Sequence, residues 1–160
     1  EIERSSMRIR PKTKNAGTQV WNDLLFLHWE IPISIAQSLI PANMSIDLYD
    51  GKAWIGLVPF AMEGVRPSWL PKWAAFSFLE SNVRLYVQHN GEAGVFFLSL
   101  DAASWLAVQA ARIGWNLPYF YAHMSIKKEG NNIQYRSKRP SGEASLSLSY
   151  TIKEQLGECR

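Results

Sequence analysis

Four side chains able to bind a polar ligand or move a proton recur at every second position of one run. In FLESNVRLYV, Glu80, Asn82, Arg84 and Tyr86 alternate with Leu79, Val83, Leu85 and Val87. A period of two puts each set on its own face of a strand. Side chains two apart on a strand lie roughly 6.5–7 Å from each other, so Glu80 and Arg84 do not touch, yet both can reach a ligand centred near Asn82. A guanidinium in such a row suits a small organic acid, which it can hold by two parallel hydrogen bonds. A carboxyl enclosed beside it can act as general acid or base if its pKa is raised.

The element that must position these residues is a hairpin. Asn90-Gly91 suits a two-residue type I′ turn in FSFLESNVRLYVQHNGEAGVFFLSLD. That turn sets Leu85 opposite Phe96 and Val83 opposite Leu98, and on the other face Glu80 opposite Asp101, Asn82 opposite Ser99 and Arg84 opposite Phe97. Two carboxylates facing each other need a cation or a shared proton. Arg84 or Arg112 could supply the cation, and either Glu80 or Asp101 could then serve as the general base. The competing reading is a solvated face of an antiparallel sheet. Phe76, Phe78 and Phe97 on the same face favour a pocket lining instead.

Around the hairpin, 21–30 reads as a strand, 32–40 as a short helix, and 44–49 and 52–61 as strands about Asp50-Gly51. The stretch 63–73, EGVRPSWLPKW, reads as a loop with apolar anchors and the makings of a lid. A helix follows the hairpin, capped by Asp101 or Ser104, packing through Trp105 and Val108, with Arg112 in its last turn and Gly114 as its stop. Arg112 is expected to be partly buried and paired with a carboxylate. The chain then turns through Asn116-Leu117-Pro118 into strands at 119–128, 132–139 and 145–152. About eight strands against two short helices give an α+β fold, mainly antiparallel β, arranged as a curled sheet or partly closed barrel.

Composition bounds the rest. The chain has 160 residues with 47% apolar and 19% charged, which suits one globular domain. We divide it into a mobile N-terminal arm over 1–17 and a single domain over 18–160. A net charge of +3 is too weak to argue for nucleic acid. No apolar run reaches the roughly 20 residues that span a membrane, and no secretory leader pattern opens the chain. The single cysteine, Cys159, forms no internal disulfide, and a cytoplasmic setting is expected. His28, His89 and His123 lack metal-ligand spacing, and no phosphate loop or nucleophile elbow is found. Neither a metal nor another cofactor is expected.

The segments HWEIP, LIPANMSIDLYDGKAWIGLVPF, FLESNVRLYV, GVFFLSLDAASWLAVQAAR and LPYFYAHMS occur in this order. Together, over residues 21 to about 139, they resemble the YqjF-like family of uncharacterised bacterial proteins, within the acetoacetate decarboxylase-like superfamily. The resemblance implies a cone-like antiparallel structure around an internal pocket. It aligns Glu80 with a pocket glutamate, Arg112 with an arginine at a helix end, and Pro118 with the proline before a Schiff-base lysine. Tyr119 stands in place of that lysine, and Phe120 in place of a second one. A phenol forms no imine, so Schiff-base decarboxylation is not expected. The resemblance also implies a longer chain, with one side of the pocket completed by further residues or by a second copy in a homodimer.

The expectation is a small-molecule-binding domain, its ligand a small organic acid held by Glu80, Asn82, Arg84, Tyr86, Arg112 and Tyr119. The first alternative is a lyase, isomerase or hydrolase using Glu80 or Asp101 as base. The second is a non-catalytic structural or interaction protein.

Overall fold

The computed structural model describes residues 15–142 and 144–154. Most of the arm expected over 1–17, and Cys159, lie outside the described residues, while Gly17 already opens a strand. The elements are β1 (Gly17–Asn22), β2 (Leu27–Ile31), α1 (Ile33–Ser38), β3 (Ser45–Ile46), β4 (Ala53–Pro67), β5 (Phe76–His89), β6 (Glu92–Ala102), α2 (Trp105–Trp115), β7 (Tyr119–Tyr121), β8 (His123–Glu129), β9 (Asn132–Lys138) and β10 (Ser145–Thr151). The larger sheet runs β1-β4-β5-β6-β7, with β2 also paired to β4 and β3 to β5. The smaller one is β10-β9-β8. Every pairing is antiparallel except β6–β7, which α2 connects as a crossover. The fold is mostly antiparallel sheet with two helices, and the larger sheet does not close into a barrel.

Turn chemistry explains the long central hairpin. Asn90 (φ 53°) and Gly91 (φ 81°) both take positive φ, as a type I′ turn requires. Ser104 caps α2 by accepting the Ala107 N–H. The helix runs through Gly114 and stops at Asn116, which is left-handed (φ 52°, ψ 35°) and donates its N–H to the Arg112 carbonyl. Asparagine therefore provides the stop assigned to Gly114; a helix tolerates an internal glycine at modest cost, and asparagine accepts the left-handed conformation.

Three other expectations change. The run 21–30 breaks at Asp23 (φ 54°) into β1 and β2, which pair with different parts of β4. The first five residues of the supposed loop 63–73 are strand: β4 continues to Pro67, where Gly17 of β1 pairs with it. Prolines are tolerated at such a strand end. The run 119–128 divides at Ala122, giving β7 to the larger sheet and β8 to the smaller.

Leu85 and Val87 of β5 pack with Ala53 and with Ala36 and Ile40 on and beside α1. Ile133, Tyr135 and Ser137 of β9 are buried as well. Glu80, Asn82, Arg84 and Tyr86 project from the other side of β5.

Candidate functional site

That side of β5 forms the floor of a cavity of about 170 Å³. Glu80, Asn82 and Arg84 line it, with Val58 and Phe60 from β4 beside them and Tyr119 from β7. The pairing explains this set. Val58 lies opposite Asn82 and Phe60 opposite Glu80, while Leu100 of β6 lies opposite both Asn82 and Tyr119. A hollow with apolar walls and a few convergent polar groups has the general character of a ligand pocket.

Glu80 is only 3% exposed. Its Oε2 accepts a hydrogen bond from the Tyr119 hydroxyl at 2.9 Å. The Tyr135 hydroxyl donates to the Glu80 carbonyl at 2.8 Å, which ties the smaller sheet to this point of β5. Burial disfavours the charged carboxylate and raises the Glu80 pKa from 4.5 to about 7, against the lowering effect of the Tyr119 bond. Tyr119 is pushed well above the ordinary phenol range by burial first, then by the charge of Glu80 and its hydrogen bond. Tyr119 is thus a lasting donor, and Glu80 exchanges its proton near neutrality. Asn82 is 5% exposed, and its Oδ1 has no hydrogen-bond partner among the described residues. A buried acceptor of this kind is costly unless a donor reaches it.

Arg84 donates from Nε and Nη2 to the Tyr86 hydroxyl, at 3.2 and 3.1 Å. His28 Nε2 lies 2.6 Å from the same oxygen. With two N–H groups arriving at the phenol oxygen, its own hydrogen is free to donate to His28. The guanidinium also lies 5.3 Å from the Phe26 ring centroid. Gly56 makes this arrangement possible, because a Cβ there would meet His28 Nε2 at 3.2 Å and the Arg84 Cγ at 3.4 Å. Arg84 has no carboxylate partner among the described residues, so its charge is available to a ligand. Sequence reasoning missed the His28–Tyr86–Arg84 chain. The glycine inside β4 was its one local signal, marking a close approach.

Residues 18–159 match DUF2071, a family of uncharacterized conserved proteins. The chain belongs to the DUF2071 family. It is 44% identical over 134 residues to the uncharacterized protein YqjF of Bacillus subtilis, covering 82% of this chain and 55% of YqjF. The chain thus spans about half the length of the curated relative it matches. Acetoacetate decarboxylase from Legionella pneumophila superposes with a TM-score of 0.66 at 16% identity, over 91% of this chain and 56% of that one. The enduracididine biosynthesis enzyme MppR, in complex with the condensation product of pyruvate and imidazole 4-carboxaldehyde, gives 0.67 at 7% identity, over 92% and 60%. These likenesses show an acetoacetate decarboxylase-like fold.

Two sequence expectations need correction in this DUF2071 chain. Asp101 does not face Glu80. The register holds from the turn to Arg84–Phe97, then shifts, so that Val83 meets Ser99, Asn82 meets Leu100 and Glu80 meets Ala102. Leu98 is the extra residue of a β-bulge, and one inserted residue turns every later side chain to the opposite face. Asp101 and Ser99 therefore lie with Arg139, which donates to both, and Ser137 also donates to Asp101. Arg112 is exposed and has no carboxylate partner among the described residues. Its Nε donates to the Tyr119 carbonyl at 2.6 Å, and its guanidinium lies 5.4 Å from the Phe120 ring centroid. It braces the backbone of β7 and does not line the cavity. Phe120 pairs with Asp101 and stacks on Arg139, away from Tyr119. Among the described residues, no cluster of His, Cys, Asp or Glu could hold a metal, and no helix is long and apolar enough to cross a membrane.

Proposed function

We propose that this chain binds a small organic acid in the Glu80–Tyr119 cavity, and that Glu80 can exchange a proton with it. The observation that supports this is the enclosed Glu80–Tyr119 pair set across Asn82 from the unpaired cation of Arg84. Arg84 takes the ligand carboxylate. The unpartnered Asn82 Oδ1 calls for a donor on the ligand, so a hydroxy acid or an enolisable oxo acid fits best. Glu80, held between its two protonation states near pH 7, is suited to proton transfer with the carbon or oxygen beside that carboxylate. MppR has also been solved in complex with pyruvate, which agrees with this ligand class. No lysine lines the cavity among the described residues, and a phenol kept protonated is no imine-forming amine. An imine route is therefore not proposed.

The test is a thermal-shift screen of small 2-oxo, 3-oxo and hydroxy acids against the wild type, Arg84→Ala and Glu80→Gln. A ligand at a hundredfold excess over its Kd stabilises by about 2.7 kcal/mol, roughly a 5–11 °C rise in Tm. At least one acid should produce this rise, and Arg84→Ala should abolish it. An acid that stabilises Arg84→Ala equally well, or a panel with no effect, removes the reading. Borohydride trapping in the presence of acetoacetate should give no adduct; a stoichiometric lysine adduct would restore the Schiff-base route.

Tyr86→Phe keeps the ring and deletes the oxygen that holds Arg84. Affinity for the acid found in the screen should fall about 3- to 10-fold, the equivalent of roughly one hydrogen bond. Calorimetric titration of the variant checks this, with unchanged affinity showing that Arg84 needs no such support.

A further inference from the structure

The same sheet face carries a second hollow, of about 380 Å³, lined by His28, Asp47, Leu48, Tyr49, Trp54 and Tyr86. We propose that it is a separate site for an organic cation, with an alkylated ammonium head group. Its chemistry is opposite to that of the Arg84 cavity. Trp54, Tyr49 and Tyr86 bring three electron-rich rings to one hollow, and Asp47 adds a carboxylate. Aromatic faces beside a carboxylate attract a weakly hydrated cation, and tryptophan does so best. The hydroxyl of Tyr86 is already engaged by Arg84 and His28, and the Arg84 guanidinium lies 5.4 Å from its ring centroid, so Tyr86 contributes less to the hollow than Trp54 and Tyr49. The Trp54 indole N–H points to the Tyr49 carbonyl at 3.4 Å, which ties Trp54 to the backbone of the turn that carries Tyr49.

The local charge agrees. Asp47 accepts from Gln88 Nε2 at 2.7 Å, a neutral partner that leaves its charge uncancelled. Lys52, the nearby cation, is taken by Glu30 at 2.7 Å, and Asp50 adds another negative charge on the same turn. Arg84 opposes a second cation, but it meets Tyr86 from the neighbouring cavity and does not line this one. The strongest contacts therefore fall on Trp54, Tyr49 and Asp47. The turn is fixed for this role: Tyr49 and Lys52 exchange backbone hydrogen bonds around Asp50 and Gly51, which both take positive φ.

The probe is choline, compared with its neutral isostere 3,3-dimethyl-1-butanol, followed through the indole N–H resonances with Trp54 assigned by Trp54→Phe. Choline should shift the Trp54 signal, and the isostere should bind on the order of 5- to 10-fold more weakly. Asp47→Asn should weaken choline by a similar factor. So should Tyr49→Ala, whose side chain is 75% exposed on the turn and whose loss leaves the sheet intact. Glu80→Gln and Arg84→Ala should not weaken it, which separates this site from the acid cavity. Equal binding of choline and the isostere, an unaffected Asp47→Asn, or no shift up to about 50 mM choline would overturn the proposal.

Discussion

Asp101→Ala should lower the stability of the folded chain by about 2–4 kcal/mol while leaving the acid cavity intact. The Asp101 and Arg139 side chains retain only 13% and 14% of their exposure. Arg139 donates to Asp101 Oδ1 from Nε at 2.8 Å and from Nη2 at 2.5 Å, and its guanidinium lies 3.8 Å from the Phe120 ring centroid. Removing one partner of a buried pair leaves an uncompensated charge, at about 3–5 kcal/mol for full burial, and the remaining solvent contact reduces that cost. The pair also joins β6 of the larger sheet to the chain leaving β9 of the smaller one, so its loss loosens their packing. Urea unfolding of Asp101→Ala measures the effect. The double variant Asp101→Leu/Arg139→Met should recover most of the loss, because apolar replacement of both partners costs little. A single variant within about 0.5 kcal/mol of the wild type would mean that the pair behaves as a solvated surface contact. If Asp101→Ala instead abolished acid binding at unchanged stability, the role of general base once considered for Asp101 would return.

Glu80 should make the chain less stable as the pH rises from 4.5 to about 7. Its carboxyl is neutral more readily in the folded state than in the unfolded one, about 7 against 4.5. Below pH 4.5 both states hold the proton and Glu80 is indifferent. Between pH 4.5 and 7 the unfolded chain ionises first, so stability falls, and above pH 7 the loss is complete. A shift of this size corresponds to about 2–3 kcal/mol, allowing for relaxation around a buried group. Glu80→Gln removes the titration and keeps an acceptor for the Tyr119 hydroxyl. The difference between wild type and Glu80→Gln should therefore change with pH in favour of the variant, by about 2–3 kcal/mol between pH 4.5 and 8. Denaturant midpoints at stepped pH values measure it. Parallel profiles for the two proteins would place the Glu80 pKa near that of a free carboxylate and remove its candidacy for proton transfer at neutral pH.

The pH profile and the acid screen report on the same carboxyl from two directions. A ligand anion on Arg84 holds the proton on Glu80 more firmly, because its negative charge disfavours the carboxylate. Acid binding should accordingly tighten as Glu80 is protonated, which the screen can show when repeated on both sides of neutrality.

Much of this architecture was legible in the residues. Period-two alternation in FLESNVRLYV put Glu80, Asn82, Arg84 and Tyr86 on one face, since a strand without a bulge alternates its side chains. Asn90-Gly91 fixed the turn, because both positions need positive φ. The motif order carried the family, and the family the fold. What the sequence could not show was decided where strands meet. The bulge at Leu98 has no composition signal of its own, and it moved Ser99 and Asp101 to Arg139. The exposure of Arg112 depends on how α2 lies over β7, where its Nε is spent on the Tyr119 carbonyl and not on a carboxylate. His28, Gly56, Arg84 and Tyr86 are spread over three strands, and only the sheet brings their atoms together. A local pattern selects a face, whereas enclosure, which alone lifts the Glu80 pKa, is a property of everything packed around that face.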